Sequence, residues 1–408
     1  MHPLEIGGMG SSLDDLFRRV LSAKIFVNRD LLRPDYIPED LPHRETQIKR
    51  LGAILAPALI GSRPSNIFIY GVPGTGKTAV TQYVLKKLDT EGKNNGASLK
   101  IAFINCKHDN TDYRVLADVC EQVGERVPFT GLAVSEVYKR FVKLADDSKS
   151  SIFVVLDEVD SLVKKAGDEV LYKLTGVNKQ LSRARVSIIG ITNDLKFTEY
   201  LDPRVRSRLG EEELVFPPYN ASELEDILRK RSVASFYKGV LGAEVIKLCS
   251  ALAAKEHGDA RRALDLLRVA GELAERNGEL KVTEDHVRRA QKEVEKDRVV
   301  EVVKTMPLHS RLLILSLHLL EKQSGNGGTT GEVYEVYTGV SKNFSVEALT
   351  QRRISDLINE LDMLGIANAR VVSKGRYGRT KLVRLSISDR NLRDALQEDS
   401  RMTSYIGK

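Results

Sequence analysis

Residues 71–78 read Gly71-Val72-Pro73-Gly74-Thr75-Gly76-Lys77-Thr78, the pattern G-x-x-x-x-G-K-[ST] of a phosphate-binding loop. An apolar run, Ile67-Phe68-Ile69-Tyr70, precedes it and a helix-compatible stretch over 79–88 follows. The chemistry needs that order of strand, loop and helix. The glycines let the backbone curl until its N–H groups face a polyphosphate, and the helix adds its positive N-terminal end. Lys77 is placed for the β- and γ-oxygens and the Thr78 hydroxyl for Mg²⁺. Gly74, Thr75, Gly76, Lys77, Thr78, Ala79 and Val80 are the expected contacts, and the expected cofactors are ATP or ADP with Mg²⁺.

Working outward, further strands are expected at 101–105, 152–156, 187–192 and 213–216, after an amphipathic helix at 46–59. Continuous apolar runs between helical stretches argue for a parallel sheet covered on both faces. Val154-Val155-Leu156-Asp157-Glu158 ends one run in two carboxylates. Beside a phosphate loop, Asp157 is expected to hold Mg²⁺ through water and Glu158 to orient the attacking water. Asn193 ends the next run and is placed for the γ-phosphate or that water, although a strand-end Asn is also a common turn former. Leu201-Asp202-Pro203-Arg204-Val205-Arg206-Ser207-Arg208 follows. An arginine can stabilise the charge spread over a transferring phosphoryl group, often from a neighbouring subunit. Arg208 is the first candidate and Arg204 the second, with a solvated basic turn as the alternative.

After Pro217-Pro218 only helical periodicity remains over 222–304, with Ser222 and Glu225 reading as a capping box and Gly258 and Gly278 as punctuation. The third part reads as helices at 308–322, 331–340 and 345–364, then strands at 367–372 and 381–385. Three helices and a β-hairpin in that order describe a winged helix. The expected fold class is α/β, a P-loop NTPase with a parallel sheet, an all-helical lid and a C-terminal winged-helix domain. The expected boundaries are 1–221, 222–304 and 305–408.

The 345–364 helix has an apolar stripe at Ile354, Leu357, Ile358, Leu361 and Leu364. That leaves Gln351, Arg352, Arg353 and Ser355 near its N-terminal end, the end recognition helices present to base edges. From Arg370 to Arg384 the hairpin carries Arg370, Lys374, Arg376, Arg379, Lys381 and Arg384 with no Asp or Glu. Arg376, Tyr377 and Arg379 on its glycine-flanked tip suit phosphates or a minor groove. A winged helix that binds protein is the alternative reading.

The 408 residues carry 63 Lys and Arg against 56 Asp and Glu, a net charge of +7 that permits nucleic-acid binding without proving it. The three cysteines fit neither a disulfide framework nor a zinc site. No apolar run approaches a membrane span and no export signal opens the chain, so a cytoplasmic protein with no membrane partner is expected.

The order of phosphate loop, Asp-Glu pair, strand-end Asn, arginine segment and Gly258-Asp259-Ala260-Arg261 resembles the AAA+ ATPases. Three segments narrow the likeness to archaeal replication initiators, similar to the largest origin-recognition-complex subunit and its helicase-loading paralogue. They are Tyr36-Ile37-Pro38-Glu39-Asp40-Leu41-Pro42-His43-Arg44-Glu45, Val127-Pro128-Phe129-Thr130-Gly131-Leu132, and 210–219 followed by Gly258–Asp265. The resemblance implies an adenine pocket around Tyr36 to Arg44, nucleotide contacts from Tyr219 and Arg231, and Arg261 reaching the γ-phosphate from the lid. It implies a helical insertion at about 106–145, where Lys139, Arg140 and Lys143 are candidates for DNA phosphates. It also implies a nucleoid-associated protein that binds double-stranded origin DNA beside other initiator protomers, recruits a replicative MCM-type helicase and hydrolyses ATP weakly, as a switch. A clamp-loader-like subunit and an ATP-switched winged-helix transcription regulator are the competing readings.

Overall fold

The computed structural model describes residues 24–34, 36–109, 111–128, 131–325, 327–373, 379–387, 389–396 and 402. The chain forms two compact units, Met1–Arg288 and Arg289–Lys408.

In the first unit, strands β1 (Ile67–Tyr70), β2 (Leu99–Asn105), β3 (Ser151–Asp157), β4 (Arg185–Thr192) and β5 (Glu212–Val215) form one sheet in the order β2-β3-β4-β1-β5. Every pairing is parallel. All seven β3 residues are buried, because helices cover both faces. Phe153 and Val155 join a core with Leu51, Leu55, Val84 and Leu85. Ile152, Val154 and Leu156 join a second core with Leu116, Val119, Phe141 and Leu174. The sequence therefore shows unbroken apolar runs where a one-sided sheet would alternate. β4 lies between β1 and β3, so the segments following these three strands leave one sheet edge side by side.

Two helices, Asp112–Val123 and Val134–Ser148, lie between β2 and β3. The expected helix at 46–59 is an α-helix over Glu45–Leu55 that tightens into a 3₁₀ turn over Ala56–Ile60, where Pro57 removes an amide donor. The helical part of the unit is built from Ala221–Ser235, Ala243–Lys255 and Ala260–Asn277. Its capping box uses Asn220 and Glu223, correcting the Ser222 and Glu225 expectation. Asn220 is still extended (φ −83°, ψ 173°), and the helix begins directly after it. Ser222 is thus already helical, and Glu225 pairs with Arg229 one turn on at 2.5 Å.

The second unit packs helices Leu308–Ser324, Thr330–Asn343 and Gln351–Met363 against β6 (Gly328–Thr329), β7 (Ala367–Ser373) and β8 (Arg379–Leu385). The sheet is antiparallel in the order β6-β8-β7. The glycine-rich stretch after the first of these helices supplies β6, and just before it a Cβ at Gly327 would meet the Val383 carbonyl oxygen at 2.3 Å, so only glycine fits there beside β8. The helix expected from 345 starts at Gln351. Ser345 takes a left-handed backbone (φ 56°), and the Thr350 side chain accepts from the Arg353 amide. A last helix, Asp389–Leu396, was not expected. Among the described residues no helix is long and apolar enough to cross a membrane.

Candidate functional site

The loop after β1 closes around Lys77. Its ammonium donates to the carbonyls of Gly71 (2.8 Å) and Val72 (2.9 Å) and to Asn193 Oδ1 (2.8 Å). Two strand ends expected to meet at phosphates therefore meet at this lysine. Burial pulls the Lys77 ammonium down to about 8, partly offset by the nearby Asp157 charge. Thr78 Oγ1 donates to Asp157 Oδ2 at 2.8 Å, and the Glu158 amide donates to Asp157 Oδ1 at 3.0 Å. Burial raises the Asp157 carboxyl above its ordinary range, opposed by the Thr78 hydrogen bond and by the charges of Arg261 and Lys77. A hydroxyl and one carboxylate side by side form the hard oxygen set that Mg²⁺ takes together with phosphate and water. Among the described residues no group of three or more His, Cys, Asp or Glu could hold a metal on its own. Glu158 adopts a left-handed backbone (φ 54°), strain of the kind retained at functional sites.

The Asn193 turn is itself braced. Asp160 accepts from Thr192 Oγ1 at 2.7 Å, and Lys164 bridges Asp160 (3.5 Å) and Asp194 (2.9 Å). Gly74 has φ +71°, and a Cβ there would fall 1.6 Å from Asp259 Oδ1. That carboxylate caps the helix Ala260–Asn277 through the amides of Arg261 and Arg262. The Ala260 amide donates to the Gly74 carbonyl at 3.1 Å. The lid helix thus starts directly on the phosphate loop, and Arg261 lies near enough for its charge to act on both Lys77 and Asp157.

Beside this cradle opens a cavity of about 350 Å³. Gly74, Gly76, Thr78, Ala79 and Gln82 form its floor, and Tyr219, Ile227, Lys230, Arg231, Arg261 and Leu264 its lid side. Tyr36, Ile37, Pro38, Leu41 and Pro42 close it from the N-terminal box. Arg231 stacks on Tyr36 with its guanidinium 4.6 Å from the ring centre. Loop residues on the floor, the cations Lys230, Arg231 and Arg261 on the lid side and the apolar residues of the N-terminal box suit a phosphorylated ligand carrying a flat ring.

Family models described as AAA domain, Cdc6 AAA+ ATPase-type lid domain, and CDC6, C terminal winged helix domain match residues 60–197, 225–292 and 301–395. The chain is 54% identical over 397 residues to the ORC1-type DNA replication protein 1 of Sulfurisphaera tokodaii, covering 97% of this chain and 99% of that one. It is 54% identical over 392 residues to the ORC1-type DNA replication protein of Pyrococcus abyssi, covering 95% and 94%. The chain belongs to the ORC1-type DNA replication proteins. Among solved structures, the Aeropyrum pernix ORC1 protein in complex with DNA matches with a TM-score of 0.82 at 51% identity, covering 92% of this chain and 98% of that one.

In this ORC1-type chain the other expected residues fall as follows. Thr75 and Val80 are fully buried; Thr75 Oγ1 bonds the Val72 carbonyl, and Val80 belongs to the core beneath the loop. Arg44, expected at an adenine pocket, is 2% exposed and lies behind the loop, bonded to the carbonyls of Thr75, His43 and Pro217. Arg204 and Arg208 sit together over the Tyr172 ring, at 4.8 and 5.1 Å, and neither lines the cavity. Arg204 is also held by Asp202 at 3.0 Å. Lys139 is exposed on Val134–Ser148, and Arg140 pairs with Glu136 at 3.6 Å. Arg352 and Arg353 are exposed at the start of Gln351–Met363. Lys381 bonds Asn359 of that helix. Arg379 opens β8, whereas Lys374, Arg376 and Tyr377 lie outside the described residues. Sequence reasoning missed Asp259, Gln82 and Lys230. Asp259 stood inside the Gly-Asp-Ala-Arg segment, but its contact with Gly74 is visible only in three dimensions.

Proposed function

We propose that this chain is an ATP-dependent replication initiator that binds duplex origin DNA and promotes loading of the replicative helicase. The observation that carries the reading is the convergence of Lys77, Thr78, Asp157, Asn193 and Arg261 at one sheet edge, in a chain that also ends in a winged helix. Lys77 and the loop amides hold the β- and γ-phosphates, and Glu158 orients the attacking water. Mg²⁺, where bound, would be held by Thr78 and Asp157 and would supply positive charge against the phosphates. Arg261, carried on the lid, reads the γ-phosphate, so hydrolysis acts as a switch of lid posture. Arg208, with Arg204 beside it, is offered to the nucleotide of a neighbouring protomer. The winged helix grips DNA through Arg352, Arg353 and the basic hairpin (Lys374, Arg376, Tyr377, Arg379, Lys381), and Lys139 and Arg140 add phosphate contacts. The Aeropyrum pernix ORC1 protein, solved in complex with DNA at 51% identity, supports the DNA half.

Footprinting on DNA from the source genome, with ATP and with ADP, tests this. Protection of repeats near a replication start is expected. Protection at promoters alone would mark a regulator, and no protection at all would reject the DNA reading.

A further inference from the structure

Residues 25–34 and 36–40 run along the lid rather than the base that follows them in the chain. Val27 N bonds Ser235 O at 2.8 Å and Tyr237 N bonds Ile25 O at 3.1 Å. Gly271, inside a lid helix, leaves room for the Phe26 ring, which a Cβ would meet at 2.4 Å. Further along, Lys230 pairs with Asp40 at 2.6 Å and His43 with Asp226 at 3.0 Å. From Glu45 the chain is base: Leu51 and Leu55 pack in its core. The chain passes onto the base over residues 41–44: Leu41 already packs against that core while His43 still holds Asp226, and a left-handed backbone at His43 (φ 63°) leads into Arg44.

The Arg44 guanidinium fastens three segments at once. It donates to Thr75 O of the phosphate loop (2.8 Å), to His43 O (2.8 Å) and to Pro217 O (2.7 Å), where the chain crosses from base to lid a second time. It stacks 3.7 Å from the centre of the Tyr219 ring. Among the described residues no carboxylate forms a salt bridge with it, so this buried cation is held by carbonyls and by the rings of Tyr219 and Phe216 (5.8 Å), with the charges of Glu223 and Glu45 acting from further off. The planar trans peptide between Thr75 and Gly76 points the Gly76 N–H away from Arg44, and Gly76 lines the cavity. A phosphate there and the guanidinium then sit at opposite ends of one peptide dipole, and each strengthens the other's hydrogen bond.

We infer that Arg44 is a positioning residue that touches no nucleotide and ties phosphate-loop occupancy to the position of the lid and its N-terminal strap. The inference rests on reading the cavity as the ATP site. The test uses the full chain with Lys86→Cys and Lys247→Cys, exposed positions on base and lid, carrying a fluorophore pair; the three native cysteines are buried. The inference expects the base-to-lid distance to change with ATP in the native background. Arg44→Met is expected to abolish that change and weaken ATP binding about 5- to 150-fold, the usual span of coupling between sites. Arg44→Lys keeps the charge but lacks the fork that reaches three carbonyls, so it is expected to lose most of the distance change while melting cooperatively. If Arg44→Met does not fold, Arg44→Lys carries the test. A lowered melting temperature with an undiminished ATP-dependent change, or an ATP-bound native chain with no change, overturns the inference. Absence of ATP binding by the native chain would instead overturn the reading of the site.

Discussion

Substituting Gly74 by alanine probes the contact between phosphate loop and lid. The backbone at Gly74 has φ +71°, which costs an L-residue about 1–2 kcal/mol. The new Cβ would also lie 1.6 Å from Asp259 Oδ1. The carboxylate must leave, and the helix Ala260–Asn277 loses its cap, worth about 0.5–2 kcal/mol. Gly74→Ala is therefore expected to destabilise the docked lid by about 1.5–4 kcal/mol in total. Asp259→Ala alone should cost only the cap. In the Gly74→Ala background the carboxylate is already displaced, so Asp259→Ala should cost close to nothing, giving a coupling of about 1 kcal/mol between the two sites. Denaturant unfolding followed by circular dichroism measures the cycle, with hydrogen exchange over 255–270 locating it; the chain has no tryptophan to report by fluorescence. Strict additivity of the two substitutions would refute the contact.

Three further outcomes follow from the same geometry. Glu158→Gln should leave ATP binding intact and stop turnover in a single-turnover phosphate-release assay; persisting turnover would assign the water to another residue. His318 is 2% exposed in the winged-helix core, and burial lowers its pKa, with Asp389 opposing and Lys322 and Arg393 assisting. The unfolded chain then binds more protons as pH falls through about 6.5, so the winged helix should lose stability toward pH 5. His318→Leu should remove that loss, measured as the pH dependence of exchange over 308–323. Arg376→Ala with Arg379→Ala should flatten the slope of log affinity against log salt by about 1.8, two phosphates at about 0.9 each. Arg352→Ala should instead erode discrimination between DNA sequences, by about 1–3 kcal/mol for a lost bidentate base contact.

The phosphate-loop segment was the most legible part of the chain. β1 was read to the residue, because the phosphate loop fixes its end at Tyr70. The other base strands were placed within two residues of their ends, since their apolar runs extend into flanking Ser, Lys and Arg that carry no periodic signal. Asn193 was picked out as a strand-end residue, but its hold on Lys77 joins positions 116 apart and has no local signature. The same limit hid Asp259 against Gly74. Arg44 was noticed through its motif, yet nothing in the sequence distinguishes an arginine facing a ligand from one binding carbonyls behind the loop. In the second unit, β6 is two residues long and exists through its pairing with β8. The helix Asp389–Leu396 has eight residues, about two turns, and lies beyond the hairpin where the winged-helix pattern was taken to end.

We propose that the nucleotide at Lys77 governs how tightly the winged helix holds DNA. The direct measurement is the affinity of the full chain for a footprinted duplex by fluorescence anisotropy, at fixed salt, with a non-hydrolysable ATP analogue and with ADP. Affinities that differ by about 5- to 150-fold are expected, with the duplex altering relative nucleotide affinity by the same factor. Equal DNA affinities in the two nucleotide states, with both nucleotides bound, would contradict it.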